Sequence, residues 1–430
     1  MILRKSGKAN SMNSSIVKNT SKLLTANIIA QAVGLAIYPI LTRLYSPEDF
    51  GTLNMFLTIG GIATLFATAE YQNSIMLPKS EKSGVACFHV GFIITLIVSL
   101  IFVLSIPFAS NISALLNAPQ LTASYWMLPI YIFVLSVWTL LNYWHTRNER
   151  FTSVSAYQIT QCTTGAGLKW GLARFLGNGL IVGSVLAPVI ALVANIAATF
   201  RTAIRPLLTF DLTECRLMAR EYANFPKFSL PRSIVNYISS NLPILLLTPF
   251  FSLTEIGFYG MALTLAFTPI NLIIRSVFQV FFQDTTQRVQ RGKSIRSFFR
   301  KLTVRTILIV APSFAILYFV LPQLTAWLLG DGWQTTGTYI RAMLPWIFMT
   351  TLVGPICYMS DIFKKQKIGF LFELLTFVLR IIGLAVGILY GDFLIAVIGY
   401  STGGFVAILA QFVWYWGLIG KYENGLAVKE

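Results

Sequence analysis

The sequence predicts an all-α, polytopic membrane protein with about twelve transmembrane helices in two six-helix lobes around a central cavity. Three observations carry this prediction. Of the 430 residues, 55% are hydrophobic and only 11% charged, and the mean hydropathy is +0.69. A soluble domain carries about 25% charged residues, so a water-soluble enzyme of this size is excluded. The apolar stretches are also continuous, as spanning helices of roughly 20 residues require, and not alternating as in a β-barrel. Finally, the basic residues gather in every second connection.

Apolar runs bounded by turn signals place the spans at about 22–45, 51–76, 85–108, 121–145, 152–175, 178–201, 228–251, 254–282, 303–329, 336–361, 366–390 and 393–418. Ala30-Gln31-Ala32 in the first span resembles a signal-peptidase site, but the apolar run continues to Leu44, as expected of an uncleaved anchor. With the amino terminus in the cytoplasm, 26 of the 33 Lys and Arg residues lie on the cytoplasmic side. The outer connections 109–120, 252–255 and 330–335 contain none. The positive-inside rule therefore places both termini in the cytoplasm. Most of the formal charge of +17 is an orientation signal, and it implies no nucleic-acid partner.

The longest non-spanning stretch falls at mid-chain. It divides the sequence into an N-terminal lobe 1–205 with a basic leading segment, a cytoplasmic linker 206–226, and a C-terminal lobe 227–430. A weak internal repeat supports the division. Ser46-Pro47-Glu48-Asp49-Phe50-Gly51 joins spans one and two, and Ser252-Leu253-Thr254-Glu255-Ile256-Gly257 joins spans seven and eight. Each is a capping-box pattern: the Ser hydroxyl accepts from an early helix amide while the acid three residues on reaches back. The motif alone only starts helices. Its recurrence at matching positions points to repeated halves, as in transporters.

Little material for catalysis is present. His89 and His145 lie on different spans, and Cys87, Cys162, Cys215 and Cys357 have no ligand spacing, so no metal, cofactor or catalytic residue is expected. Gly292-Lys293-Ser294 looks like the end of a P-loop, but Gln287 stands where the first glycine belongs.

Ionisable groups inside spans are expensive and face a cavity or partner. Lys169, Arg174, Arg232, Arg275 and Arg380 stand there against Glu70 and Glu373, an excess that suits an anionic substrate. Asn271, Arg275, Gln279 and Gln283 form one stripe at four-residue spacing; Arg232, Asn236 and Ser239 form another. Gln158 and Lys169 share a face, as do Glu373 and Arg380. Arg174 and Arg232 are near enough to a boundary to snorkel, and Glu373 with Arg380 could instead be a structural ion pair. Lys169 and Arg275 are expected well inside their spans. Pro188, Pro243, Pro269, Pro312, Gly354 and Pro355 suggest bent helices.

The first hairpin, Pro39-Ile40-Leu41-Thr42-Arg43-Leu44-Tyr45-Ser46-Pro47-Glu48-Asp49-Phe50-Gly51, resembles that of the O-antigen (Wzx-type) polysaccharide flippases of the multidrug/oligosaccharidyl-lipid/polysaccharide exporter superfamily. Length, span number and mid-chain division agree with that family; only the hairpin is sequence-specific. The resemblance implies translocation of an undecaprenyl-diphosphate-linked oligosaccharide across the bacterial inner membrane through a V-shaped cavity. Other polysaccharide assembly proteins are candidate partners. It would assign substrate binding to Lys169, Arg232, Arg275 and Arg380. Gln158, Asn236, Asn271, Gln279 and Arg174 would support them, and Glu70 and Glu373 are candidate coupling acids. Two alternatives stay open: a multidrug cation antiporter of the same superfamily, and a membrane-embedded polysaccharide assembly enzyme. The first should hold unpaired cavity acids. The second should carry a large outer loop or an embedded histidine.

Overall fold

The computed structural model describes residue 28, residues 31–363 and residues 365–427; within these, only the backbone is described for 272–273, 275–284, 286–287, 290, 361 and 426–427. The described elements are all helical. The chain divides into two compact units, the first ending at Asn241 and the second beginning at Leu242.

The first unit contains α1 (Gln31–Leu41), α2 (Pro47–Thr68), α3 (Glu81–Leu104), α4 (Leu128–Arg147), α5 (Phe151–Leu172), α6 (Gly179–Thr199), α7 (Leu212–Glu221) and α8 (Leu230–Ser240). The second contains α9 (Leu242–Leu247), α10 (Leu253–Gln290), α11 (Arg296–Leu329), α12 (Gln334–Val353), α13 (Gln366–Tyr390) and α14 (Phe393–Ala427). Among the described residues, nine helices are long and apolar enough to cross a membrane. The other three expected spans miss for separate reasons. Span one is described as a helix only over Gln31–Leu41. The 22-residue α5 is long enough, but Gln158, Gln161, Lys169 and its threonines make it too polar. The segment 228–251, expected as one span, breaks at Asn241 into α8 and α9, with Pro243 in the first turn of the second piece.

Both capping boxes form. The Ser46 hydroxyl accepts from the Asp49 amide while the Asp49 carboxylate accepts from the Ser46 amide. Ser252 and Glu255 repeat the arrangement at the start of α10. Pro188, Pro269 and Pro312 lie inside α6, α10 and α11, and Gly354 and Pro355 form the tight turn that ends α12.

The expected cytoplasmic linker holds a helix packed on the first unit. Asp211 caps α7 by accepting from the Thr213 and Glu214 amides. Cys215 and Met218 on the apolar face of α7 are buried in a core with Tyr71, Cys87, Phe88 and Trp144. The Tyr71 hydroxyl donates to the Ala219 carbonyl at 2.9 Å, and the Ser83 hydroxyl to Glu214 at 2.8 Å. A Lys82–Asp211 ion pair at 2.8 Å closes the exposed edge. Both histidines are structural: His89 bonds the Leu207 carbonyl, and fully buried His145 bonds Asn195.

In the second unit glycines set the spacing of α13 and α14. Gly383 and Gly399 touch backbone to backbone, Gly387 packs on Ala396, and Gly403 packs on the Leu379 carbonyl. Small residues four apart let membrane helices approach closely, gaining dispersion contacts that larger side chains would block. At the other end of α14, Glu423 accepts from the Ser294 hydroxyl and the Ile295 and Arg296 amides, satisfying orphan donors at the start of α11.

Candidate functional site

Helices α1, α2, α4, α5 and α6 of the first unit surround a cavity of about 390 Å³, within the size range of small-ligand sites. Its polar lining comes mainly from α5, where Gln158, Gln161 and Lys169 share one face, with Gln31, Tyr131 and Ser184 opposite. Apolar Ile37, Leu41, Leu57 and Pro188 complete it. Eleven residues separate Gln158 from Lys169, so the polar strip runs about 16 Å along α5 at 1.5 Å per residue.

Two features hold Lys169 in place. Its carbonyl accepts a 2.7 Å hydrogen bond from the Tyr45 hydroxyl. Gly183 of α6 also lies so close that a Cβ there would sit 2.7 Å from the Lys169 Cγ. The ammonium itself has no hydrogen-bond or ion-pair partner among the described residues. The Oε1 atoms of Gln31 and Gln158 are buried and likewise unpartnered. The cavity therefore offers one cation and amide acceptors, with no carboxylate in its lining. That combination suits a ligand carrying both negative charge and hydroxyl groups.

Helix α5 ends at Leu172, which puts Lys169 in its last turn and Arg174 in the exposed turn beyond it. Lys169 and Gln158 both line the cavity.

The second unit has a different cation environment. Arg380 of α13 is 8% exposed and lies between two rings, its guanidinium carbon 4.7 Å from the Trp346 centroid and 4.6 Å from that of Tyr400. Glu373, two turns away, is exposed, and no carboxylate lies within ion-pair distance of Arg380 among the described residues. The structure thus places the two apart.

The remaining candidates scatter. Arg232, Asn236 and Asn271 are exposed. Glu70 is buried in a left-handed turn after α2, where its carboxylate accepts from the Gln72 and Asn73 side-chain amides. The side chains of Arg275 and Gln279 lie outside the described residues. Sequence reasoning missed Gln31, Tyr131 and Gln161 in the cavity, and Trp346, Tyr400 and Tyr259 around Arg380. Gln161 follows Gln158 by one helical turn and was findable from spacing. The others come from separate helices, and no local pattern marks them. Among the described residues no group of three His, Cys, Asp or Glu side chains could hold a metal ion.

Residues 40–338 match the polysaccharide biosynthesis protein family, and the chain belongs to it. It is 23% identical over 407 residues to the lipopolysaccharide biosynthesis protein WzxC of Escherichia coli (strain K12), covering 89% of this chain and 79% of WzxC. It is 22% identical over 303 residues to the succinoglycan biosynthesis transport protein ExoT of Rhizobium meliloti (strain 1021). That match covers 69% of this chain and spans 58% of the length of ExoT. The fold is that of the MOP-superfamily transporters. The lipid II flippase MurJ, in an inward closed conformation, superposes with a TM-score of 0.70 at 13% identity, covering 96% of this chain and 92% of MurJ. An inward-facing MATE transporter of that superfamily gives 0.62 at 14% identity, covering 93% and 96%. The resemblance read from the first hairpin agrees with these matches.

Proposed function

We propose that this chain is a flippase that carries undecaprenyl-diphosphate-linked oligosaccharide repeat units from the cytoplasmic to the periplasmic leaflet of the bacterial inner membrane. It would work by alternating access, with both termini cytoplasmic, and serve O-antigen or related surface-polysaccharide synthesis. Lys169 carries the reading: an ammonium with no carboxylate neighbour lines a cavity whose other polar groups are amides and hydroxyls. The names of the relatives support it, one a transport protein of succinoglycan biosynthesis and one a lipopolysaccharide biosynthesis protein. A cation exporter needs acids where this lining has none, which disfavours the antiporter alternative.

The physics is consistent with such a task. The lipid tail can stay in the bilayer while the polar head crosses. Negative charge moving outward runs down an inside-negative potential, worth roughly 2.3 kcal/mol per charge per 100 mV. Exposed Glu373 is better placed for ion coupling than Glu70, whose carboxylate is engaged within its own turn.

The test is the lipid-linked oligosaccharide pool of a strain lacking the protein. Complete units accumulating on diphosphate lipid, with surface polymer lost, are expected. Incomplete units would indicate an assembly enzyme. An unchanged pool with new sensitivity to cationic drugs would indicate an antiporter.

A further inference from the structure

Helix α11 has 34 residues, so it is about 51 Å long at 1.5 Å per residue, against a hydrocarbon core of about 30 Å. Residues 306–329 carry no charge and by themselves reach about 36 Å. They suffice to cross the apolar layer, which leaves residues 296–305 to the headgroup layer. Those ten residues hold Arg296, Arg300, Lys301 and Arg305, all exposed. From residue 285 to residue 330 the sequence has no Asp or Glu. Glu423 meets this end of the helix, but through the Ser294 hydroxyl and two backbone amides. Among the described residues none of the four cations is in an ion pair. The start of α3 differs: Glu81 opens it, and its Lys82 is paired with Asp211.

The four cations stand on one half of the helix. At about 100° per residue, Arg300 lies about 40° round from Arg296, Lys301 about 140° and Arg305 about 180°. The opposite half is the packed one, where Phe299 is 1% exposed. Between the two pairs of cations runs an uncharged strip of Ser297, Val304 and Leu308, all exposed. Leu308 is 68% exposed and opens a bare apolar surface that continues through Ile309, Ile316 and Phe319. The positive-inside bias asks only for cations somewhere in a connection. It does not ask for two rows of them flanking an apolar strip on the face turned to lipid.

We propose that this face of α11 is a binding site for one anionic phospholipid. Its phosphate headgroup sits among Arg296, Arg300, Lys301 and Arg305, and an acyl chain lies along Val304 and Leu308. Both cation types donate to phosphate oxygens, arginine through a two-pronged fork. A zwitterionic lipid brings its own cation to the same place and loses most of the attraction. The site belongs to the second unit alone. It depends neither on the flippase reading nor on which side of the membrane this end of the helix faces.

The full chain, in neutral maltoside micelles, is titrated with phosphatidylglycerol or with phosphatidylcholine of the same acyl chains, and retained lipid is counted by native mass spectrometry. Phosphatidylglycerol is held about tenfold more tightly or better. Each basic residue beside an anionic headgroup is worth a factor of about five, so Arg300→Gln combined with Lys301→Gln weakens phosphatidylglycerol about 25-fold. If that variant does not fold, Arg305→Gln alone, with a loss of about fivefold, replaces it. Arg216→Gln combined with Arg220→Gln removes the same charge from α7 of the first unit and changes the affinity less than about twofold. Equal retention of the two lipids by the unmodified chain would overturn the proposal and leave the cations as an orientation signal alone. So would equal losses in the two double variants, which would mean that net charge, and not this face, attracts the lipid.

Discussion

Replacing Gly399 by alanine tests the close approach of α13 and α14 directly. A Cβ there would lie 2.3 Å from the Gly383 oxygen, 2.7 Å from its carbonyl carbon and 2.8 Å from its Cα. Carbon–oxygen contacts settle at about 3.3–3.6 Å, so the helices must part by about 1 Å. All three atoms are backbone and cannot rotate away. Overpacking of this kind costs about 1–3 kcal/mol. Gly417, on the same helix, is the matched control, since a Cβ there meets nothing within 4 Å. Gly→Ala inside a helix otherwise gains about 0.5–1 kcal/mol, and that gain is common to both sites. The difference between the two variants therefore isolates the seam at about 1–3 kcal/mol. Unfolding midpoints in mixed micelles of increasing denaturing-detergent fraction measure it, with Gly417→Ala at or above the unmodified chain and Gly399→Ala below. A Gly399→Ala midpoint equal to that of Gly417→Ala would refute the backbone contact as a stabilising feature.

Three further expectations concern the first unit and the membrane charges. Lys169→Gln removes the cavity cation and keeps a polar side chain. On the flippase reading, surface polysaccharide falls at least several-fold at unchanged protein level, and wild-type polymer from that strain would remove Lys169 from the site. Arg275→Glu, which reverses a charge on the polar stripe of α10, abolishes surface polysaccharide while the protein stays in the membrane fraction; normal polymer would dismiss that stripe. The hydrogen bond from Lys82, aided by the Glu214 amide, holds the Asp211 carboxyl below the usual carboxylate value of 3.8. A depressed carboxyl stabilises above its ordinary value and loses that contribution as pH falls through the lowered one. Hydrogen exchange at the Thr213 and Glu214 amides, corrected for intrinsic rate, should be flat between pH 7 and 5. It should rise only below about 4, and a rise near neutrality would point to another group.

Much of the fold was legible because bilayer thickness imposes long apolar runs and positive loops mark their ends. The capping boxes at Ser46 and Ser252 were equally readable, since each is closed by atoms three residues apart. What failed depended on where helices stop and which part of a helix is covered. The break at Asn241 divided an expected span. Glu373 and Arg380 do share a face by spacing. Glycines bring the backbones of α13 and α14 closest around Gly383 and Gly387, the stretch in which Arg380 is buried, whereas Glu373 on the preceding turns is exposed. The cavity partners Gln31 and Tyr131, and the rings around Arg380, come from helices far apart in sequence. Their meeting is a product of packing that no local pattern encodes.

The two capping boxes also bear on how such a chain is made. Each links a turn to the first residues of the next helix through bonds spanning three positions. Neither needs any contact with residues still on the ribosome. At a synthesis rate of about 5–20 residues per second, the turn at Ser46 can close seconds before α4 exists, and the one at Ser252 before α13 does. Helix pairs joined in this way can enter the bilayer as hairpins, with the direction of the second member set at the turn. Packing between the remaining helices then selects among partners whose orientation is already decided.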